Sequence, residues 1–356
     1  MPTNSSNHHI AIIGAGVGAY HEINIPILST NVIFFTGGLT LAKVLQVHGV
    51  PCTIYELEAS PDVRIQGGSL DLKKSSGQRA LELAGLTNKF VAIARPEGDA
   101  MKMSGKDGKV AFAMYGNDFQ DGLEAVEKAE REKSEDSAPV EGKTPGIWDD
   151  ATRPEVDRGM LRQLLLDSLA PGTIKWGHKF VSLLTSGHKH QLNFANGVTV
   201  TADVVVGADG AWSQVRSAIS PFKPEYTGVI MVEVQLPNID ARFPELGKMI
   251  GPGSFLASDD NRALIAQRNA NSHVRTYIVL RIAEDWPKTC NIPFDTDPKE
   301  ARIRLLEYYQ DWAPELRKLV ELCDDTFVPR GIYQMPIGCK WEHKSGITVR
   351  SVPRAA

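Results

Sequence analysis

Three glycines in this chain could seat a pyrophosphate, but 19 residues separate the second part of the motif from the first. Residues 9–18 read HIAIIGAGVG, a short apolar strand running into Gly14, Gly16 and Gly18. The helix start that should follow at once, GLTLAKVL, begins only at Gly38. Joining Gly18 directly to Gly38 gives GAGVGGLTLAKVLQ, which places Gly14, Gly16 and Gly38 at the three positions of G-x-G-x-x-G. In that fingerprint the first glycine makes the tight turn. The second lets backbone approach a pyrophosphate, and the third lets helix and strand pack closely. The phosphates then rest on the free N–H groups of the helix N-terminus. The motif is weak alone; its usual companion is an acidic residue about 20 positions on, which holds a ribose. Residues 51–58, PCTIYELE, form a strand ending in Glu56. Gly14 and Glu56 are 42 positions apart, or 23 without residues 19–37, so one deletion repairs both motif and spacing.

Residues 19–37, AYHEINIPILSTNVIFFTG, admit two readings. One is a genuine loop or a membrane hairpin. The segment carries His21, Glu22, Asn24, Pro26 and Asn31, and it is too polar and short to span a bilayer. The sharper reading is a retained intron. Gly18-Ala19-Tyr20 can be encoded with a donor-like GT, Thr30-Asn31 with a branch-point-like CTAAC, and Thr36-Gly37 with an AG acceptor. Removing that span takes out 57 nucleotides in frame. On this reading the chain as written binds a dinucleotide poorly.

The elements that must position these residues follow from periodicity. Residues 156–169, VDRGMLRQLLLDSL, repeat leucine at helical spacing. Strands are expected at 173–176, 179–184 and 191–194, with Asn196-Gly197 as a hairpin turn into 198–201. Residues 203–207, DVVVG, suit a buried parallel strand and lead into Asp209 and Gly210. Residues 101–114 read as two short strands about a Lys106–Lys109 turn, and 226–282 as a mixed or antiparallel sheet. Residues 77–83 and 297–323 look helical, with Trp312 and Leu316 toward a core. Gly67-Gly68 marks a turn or a close backbone approach to a ligand. Residues 118–146, rich in Glu, Lys, Ser and Pro, read as a charged flexible loop.

Composition narrows the classes. At 356 residues about two domains are expected. A net charge of −4 gives no nucleic-acid footprint. Cys52, Cys290, Cys323 and Cys339 are scattered, which argues against a disulfide or zinc framework. The N-terminus lacks the basic and apolar regions of a signal peptide, so a cytoplasmic protein with no membrane span is expected. No Ser-His-Asp triad, metal cluster or carboxylate pair stands out, and no catalytic residue or metal ligand is singled out.

Taken with RIQGGSLDL (64–72), SSGQRALELAGL (75–86), PEVDRGMLRQLLLDSL (154–169), VVVGADGAWSQVR (204–216) and PIGCKWEHKSGITV (336–349), the chain resembles a group A flavin-dependent aromatic hydroxylase. Within that group it is similar to the tetracycline-inactivating flavin monooxygenases. The resemblance implies an α/β fold: an FAD/NAD(P)-binding Rossmann-like βαβ domain with an interleaved substrate domain on a mixed or antiparallel sheet. It implies a discontinuous FAD-binding domain at 1–82, 147–222 and 329–356, and a substrate domain at 83–117 and 223–328. Carried over by motif, Gly14, Gly16, Gly18 and Gly38 hold the FAD pyrophosphate and Glu56 the adenosine ribose. Arg64 lies near the entering nicotinamide cofactor and Asp71 near the flavin. Arg158 meets the FAD, with Arg162 a lesser candidate, and Asp209 with Gly210 forms the second flavin motif. For Arg158 a surface ion pair, for Asp71 a strand-end cap, and for Asp209-Gly210 an ordinary turn remain alternatives; Arg216 reads equally as a helix-surface residue. The implied activity is NADPH- or NADH-dependent hydroxylation of an electron-rich aromatic or polyketide-like molecule by dioxygen, through a flavin C4a-hydroperoxide. Gln267, Arg268 and residues near Met231 are expected on the substrate floor. The halogenase motif W-x-W-x-I-P is absent from the sequence.

The family continues after a strand like GITV with a Gly-Asp-Ala-Ala-His segment that meets the flavin's ribityl chain. Here RSVPRAA follows Val349, and Val349-Arg350 can be encoded GTG-AGA, resembling an intron donor. The expected alternative to the enzyme is therefore a non-catalytic remnant of the fold.

Overall fold

The computed structural model describes residues 8–17, 20–24, 31–35, 37–63, 67–114 and 153–349. The chain opens on β1 (Ile10–Ile13), whose four residues are all buried. An antiparallel hairpin, β2 (Tyr20–Asn24) with β3 (Asn31–Phe35), then forms a separate two-stranded sheet, with β3 beside the helical segments Lys74–Gln78 and Arg79–Leu83. The helix Gly38–Val47 leads to β4 (Cys52–Tyr55). Next come β5 (Ser69–Asp71), β6 (Met101–Ser104), β7 (Val110–Met114), β8 (Glu155–Asp157) and β9 (Ile174–Lys175). A three-stranded antiparallel sheet follows from β10 (Phe180–Ser186), β11 (Lys189–Phe194) and β12 (Thr199–Ala202). The remaining strands are β13 (Val204–Gly207), β14 (Glu225–Leu236), β15 (Ser254–Asp259), β16 (Arg262–Asn269), β17 (His273–Arg281), β18 (Val328–Gln334) and β19 (Ile347–Val349).

A parallel sheet in the order β19-β13-β1-β4-β9 organises the first domain. Parallel strands are buried on both faces, which is why β1 is apolar throughout. Ile10 and Ile12 pack with Leu39, Leu41, Leu45 and Leu165 of the helical layer. Ala11 and Ile13, pointing the other way, pack with Leu192, Phe194 and Ala202 of the β10–β12 sheet. The domain is thus three layers deep. The helix expected at 156–169 runs Arg158–Ser168. Val156 and Asp157 instead extend β8, which pairs antiparallel with β5.

The second domain is a seven-stranded sheet in the order β18-β14-β17-β16-β15-β6-β7. Alternation sorts its faces. Val232, Val234, Leu264, Ala266, Thr276 and Ile278 are fully buried on one face. There the helices Pro244–Ile250, Pro298–Glu307 and Pro314–Glu321 contribute to the core, including Trp312 and Leu316. The helical stretch expected over 297–323 is divided because Pro314 starts a new helix; Asp297 caps the first by accepting from Glu300 N–H at 3.0 Å. Two expected boundaries fall elsewhere. The helix Thr87–Val91 buries Phe90 in the first domain's helical layer, so the excursion into the sheet begins near Met101. β18 crosses residue 329 and pairs with β14, so the chain leaves the seven-stranded sheet only after Gln334. The expected flexible loop, 118–146, lies outside the described residues.

Candidate functional site

The glycine turn sits at the C-terminal edge of the parallel sheet, between strands β4 and β13. Gly14 has φ +104°, and a Cβ there would meet the Ala208 carbonyl carbon at 2.8 Å and Asp209 Cα at 3.1 Å. Gly14 N–H donates to Tyr55 O at 2.9 Å. A Cβ on Gly38, the first residue of its helix, would collide with the Gly14 carbonyl oxygen and lie 2.9 Å from Ile12. Gly16 meets no atom of the described residues within 4 Å of where its Cβ would be. The 19-residue detour therefore returns Gly38 to the first glycine, with the hairpin lying between them in the chain. Gly18 lies outside the described residues. Glu56, at the end of β4, reaches back to this turn: its Oε2 accepts from Ala15 N–H at 2.5 Å and its Oε1 from Glu58 N–H at 3.0 Å.

Arg162 lies beneath the loop that follows. It is buried, donates to Pro61 O at 2.7 Å and to Glu58 Oε2 at 3.2 Å, and stacks over Trp176. Its role in this geometry is to hold the loop after Glu56.

The Asp209-Gly210 loop closes the other side. Asp209 Oδ1 accepts from Ser213 Oγ at 2.5 Å, and Oδ2 accepts from Gln214 N–H at 2.7 Å and Val215 N–H at 3.2 Å. The carboxylate thus satisfies the first donors of the short helix Gln214–Ser217. Gly210 has φ +82°, and a Cβ there would meet no atom of the described residues within 4 Å. Arg216 is buried, not on the surface. It donates to Ala211 O, while its Nε and Nη1 have no partner among the described residues. Burial lowers its pKa, opposed by the charge of Asp209.

A second set of groups faces this edge from the seven-stranded sheet. The Gly67-Gly68 turn rests on it: a Cβ on Gly67 would collide with the Arg275 guanidinium, and one on Gly68 would lie 3.1 Å from Tyr277 Oη. Ser69 N–H donates to Gln267 Oε1 at 3.1 Å, and Arg158 N–H to Gly68 O at 3.0 Å. Burial lowers the Arg158 pKa; Tyr277 opposes that and Arg275 adds to it. Arg275 is ion-paired with Glu233, whose other oxygen lies 3.5 Å from Arg330. A cleft of about 480 Å³ opens beside this cluster, bordered by Gly68, Asp157, Met160, Gln235, His273 and Arg275. Arg64 lies outside the described residues.

Gln267 therefore lies on this polar face, as expected of the substrate floor, but Arg268 does not. Its parity on β16 is that of Leu264 and Ala266, and it ion-pairs with Asp240 at 2.8 Å while donating to Gly247 O at 2.9 Å. Glu233, Arg275, Tyr277 and Arg330 were missed in the sequence. Parity could have found the first three, since each alternates with fully buried neighbours on β14 or β17.

The structure also brings together a carboxylate pair that the sequence hid. Asp71 and Glu155 are directly opposite in the β5–β8 pair and hydrogen-bond through their side chains. Asp71 keeps an open outer side, whereas Glu155 is 2% exposed. Ser69 Oγ and Arg95 Nη2 donate to Glu155 Oε2 at 2.8 and 3.1 Å. Burial, with the Asp71 charge, pushes the Glu155 carboxyl up to about 7. Among the described residues no group of His, Cys, Asp and Glu could hold a metal ion, and no helix is long and apolar enough to cross a membrane.

Comparison with known proteins bears on this arrangement. The profile of the FAD binding domain family matches residues 36–310. Monooxygenase penA of Penicillium thymicola is 29% identical over 292 residues, covering 78% of this chain and 55% of that protein. The chain thus spans little more than half of that relative's length. The structure of Klebsiella pneumoniae HpxO complexed with FAD and uric acid superposes with a TM-score of 0.66 at 16% identity, covering 97% of this chain and 72% of that one. Tetracycline destructase Tet(55) superposes with a TM-score of 0.58 at 16% identity, covering 98% and 74%. These solved structures share the fold.

Proposed function

This chain belongs to the FAD binding domain family, and from that we propose that it is an FAD-dependent monooxygenase acting on an electron-rich aromatic or polyketide-like small molecule. The observation that carries the reading is a convergence. The Gly14–Gly38 contact, Glu56 and the Asp209 loop meet at one edge of the parallel sheet, and the polar face of the seven-stranded sheet meets β5 beside it.

The residues present fit the cofactor. Gly16, whose Cβ position meets no described atom, and the helix start at Gly38 suit a pyrophosphate. The unpartnered Arg216 nitrogens lie behind the Asp209 loop, where an added acceptor would satisfy them. In this reading Glu56 holds the adenosine ribose, Asp71 and Arg158 flank the flavin, and Gly210 allows close approach. When bound, FAD would supply the redox chemistry by which NADPH or NADH and dioxygen oxygenate the substrate by one oxygen atom. The other oxygen atom would be released as water. Tyr277, Gln267 and the Arg275–Glu233–Arg330 group orient the polar substituents of the substrate. The sheet on one side and the Gly67-Gly68 turn on the other exclude bulk water, which keeps reducing equivalents from being wasted.

The test is to reconstitute the chain with FAD and follow NADPH and NADH oxidation against a panel of phenols and polyketide aromatics. The reading expects substrate-stimulated oxidation and a product heavier by one oxygen atom. Stoichiometric FAD without any substrate-stimulated oxidation would favour the non-catalytic alternative.

A further inference from the structure

We propose that Glu155 is a positioning residue that holds Asp71 in place for the cofactor by donating a carboxyl hydrogen bond to it. The inference rests on the FAD reading of Asp71 and adds a residue that reading does not use.

The geometry supplies the argument. Glu155 Oε2 is already occupied by two donors, Ser69 Oγ and Arg95 Nη2. Glu155 stands directly opposite Asp71 in the β5–β8 pair, and the two carboxyl groups interact through their side chains. Two carboxyl groups can hydrogen-bond only if one keeps a proton. Glu155 is the more enclosed of the two, so burial selects it as the holder, and Asp71 remains the charged partner with an open side. Nearby charges do not relieve the crowding. Arg95 Nη2 is shared with Asp157 Oδ1 at 3.3 Å and with Arg268 O at 3.0 Å. The Arg153 charge attracts Asp71 and Asp99 alike, the Arg153 backbone N–H donates to Asp99 Oδ2 at 3.2 Å, and Asp99 repels Asp71. Four carboxyl groups, on Asp71, Asp99, Glu155 and Asp157, thus surround two guanidinium groups, on Arg95 and Arg153.

The same network joins the two domains. Asp157 accepts from Ala270 N–H at 3.1 Å and from Asn269 Nδ2 at 3.3 Å, at the end of β16. Placement of Asp71 on the flavin side is therefore tied, through Glu155, Arg95 and Asp157, to the loop that ends the substrate sheet.

Loss of the Glu155 proton puts two like charges opposite one another and removes the donor that fixes Asp71. FAD binding should then weaken as pH rises past neutrality. Glu155→Gln keeps the arrangement without the titration: its Oε1 can accept from Ser69 and Arg95 while its Nε2 donates to Asp71 at every pH. The experiment measures the FAD dissociation constant of the full chain by flavin fluorescence quenching across pH, for wild type and Glu155→Gln. Between about pH 6 and about pH 8 wild type should weaken about tenfold, while Glu155→Gln holds its low-pH affinity throughout. A wild-type affinity flat with pH, or an unchanged pH profile in Glu155→Gln, overturns the proposal. A second measurement needs no cofactor. In the apo chain, the carboxyl carbon of Glu155 followed by NMR should titrate near neutrality, and Asp71→Asn should lower that midpoint. Titration in the ordinary carboxylate range overturns the proposal. Absence of FAD binding in both proteins alongside a near-neutral Glu155 midpoint would instead overturn the FAD reading and the positioning role, leaving only the shared proton.

Discussion

Gly38 packs directly on Gly14: a side chain at the first position of the helix would collide with the Gly14 carbonyl oxygen. This contact survives a 19-residue detour between the two glycines, so the hairpin β2–β3 is accommodated within the glycine turn without separating them.

Gly38→Ala should therefore be costly. The obstructing atom is backbone, which cannot rotate away, and overpacking of this kind costs about 2 kcal/mol. Thermal unfolding should show that loss, and FAD affinity should fall by about tenfold or more as the helix start is pushed off the turn. An unchanged melting curve would mean that the two glycines are not in contact.

Deletion of residues 19–37, joining Gly18 to Gly38, should leave the fold intact, because the hairpin forms its own sheet outside the parallel one. Circular dichroism should be preserved, and FAD affinity should be equal to or tighter than that of the full chain. A deletion variant that fails to fold would make the hairpin part of the core structure.

Glu233→Gln should act on substrate and stability but not on FAD. It removes the charge that neutralises the buried Arg275, and an uncompensated buried charge costs about 3 kcal/mol. The Michaelis constant for substrate should rise about tenfold, with FAD content unchanged. Loss of FAD in parallel with substrate affinity would place Glu233 on the cofactor side instead.

The stability of the apo chain should carry the mark of Glu155. Its folded pKa is raised from 4.5 to about 7, so its contribution is fully present below the lower value and is lost as pH rises toward the upper one. Urea midpoints of wild type should fall over that window relative to Glu155→Gln. Parallel profiles for the two proteins would contradict the assignment.

Tyr309→Phe tests the second domain's core independently of the site. The buried hydroxyl donates to Val279 O at 2.9 Å and lies 3.1 Å from Ala263 O, tying β17 and β16 to the segment after the helix Pro298–Glu307. Its loss should cost about 1 kcal/mol, with no change in FAD affinity.

Much of the parallel domain was legible because its signals are local. The run IAII, the glycines, Glu56 at the end of β4 and the VVVG strand each follow from burial or turn chemistry in a short window. The polar sheet face was only partly legible: Gln267 was named, but so was Arg268, which lies on the opposite face because a one-residue step reverses direction on a strand. Glu155 was invisible for a different reason. It stands just before the helix expected at 156–169, and only the antiparallel pairing of β8 with β5 brings it opposite Asp71. Short strands of three residues carry no readable period, and a carboxylate pair formed across them exists only in three dimensions.

The most direct test of the account is a titration of the purified full-length chain, freed of flavin, with FAD at about neutral pH, followed by fluorescence quenching and by the visible spectrum of the complex. Binding of one FAD per chain, weakened by Gly38→Ala and retained after deletion of residues 19–37, is the predicted result. A chain that stays folded yet leaves FAD fluorescence unquenched, with and without the hairpin, would contradict it.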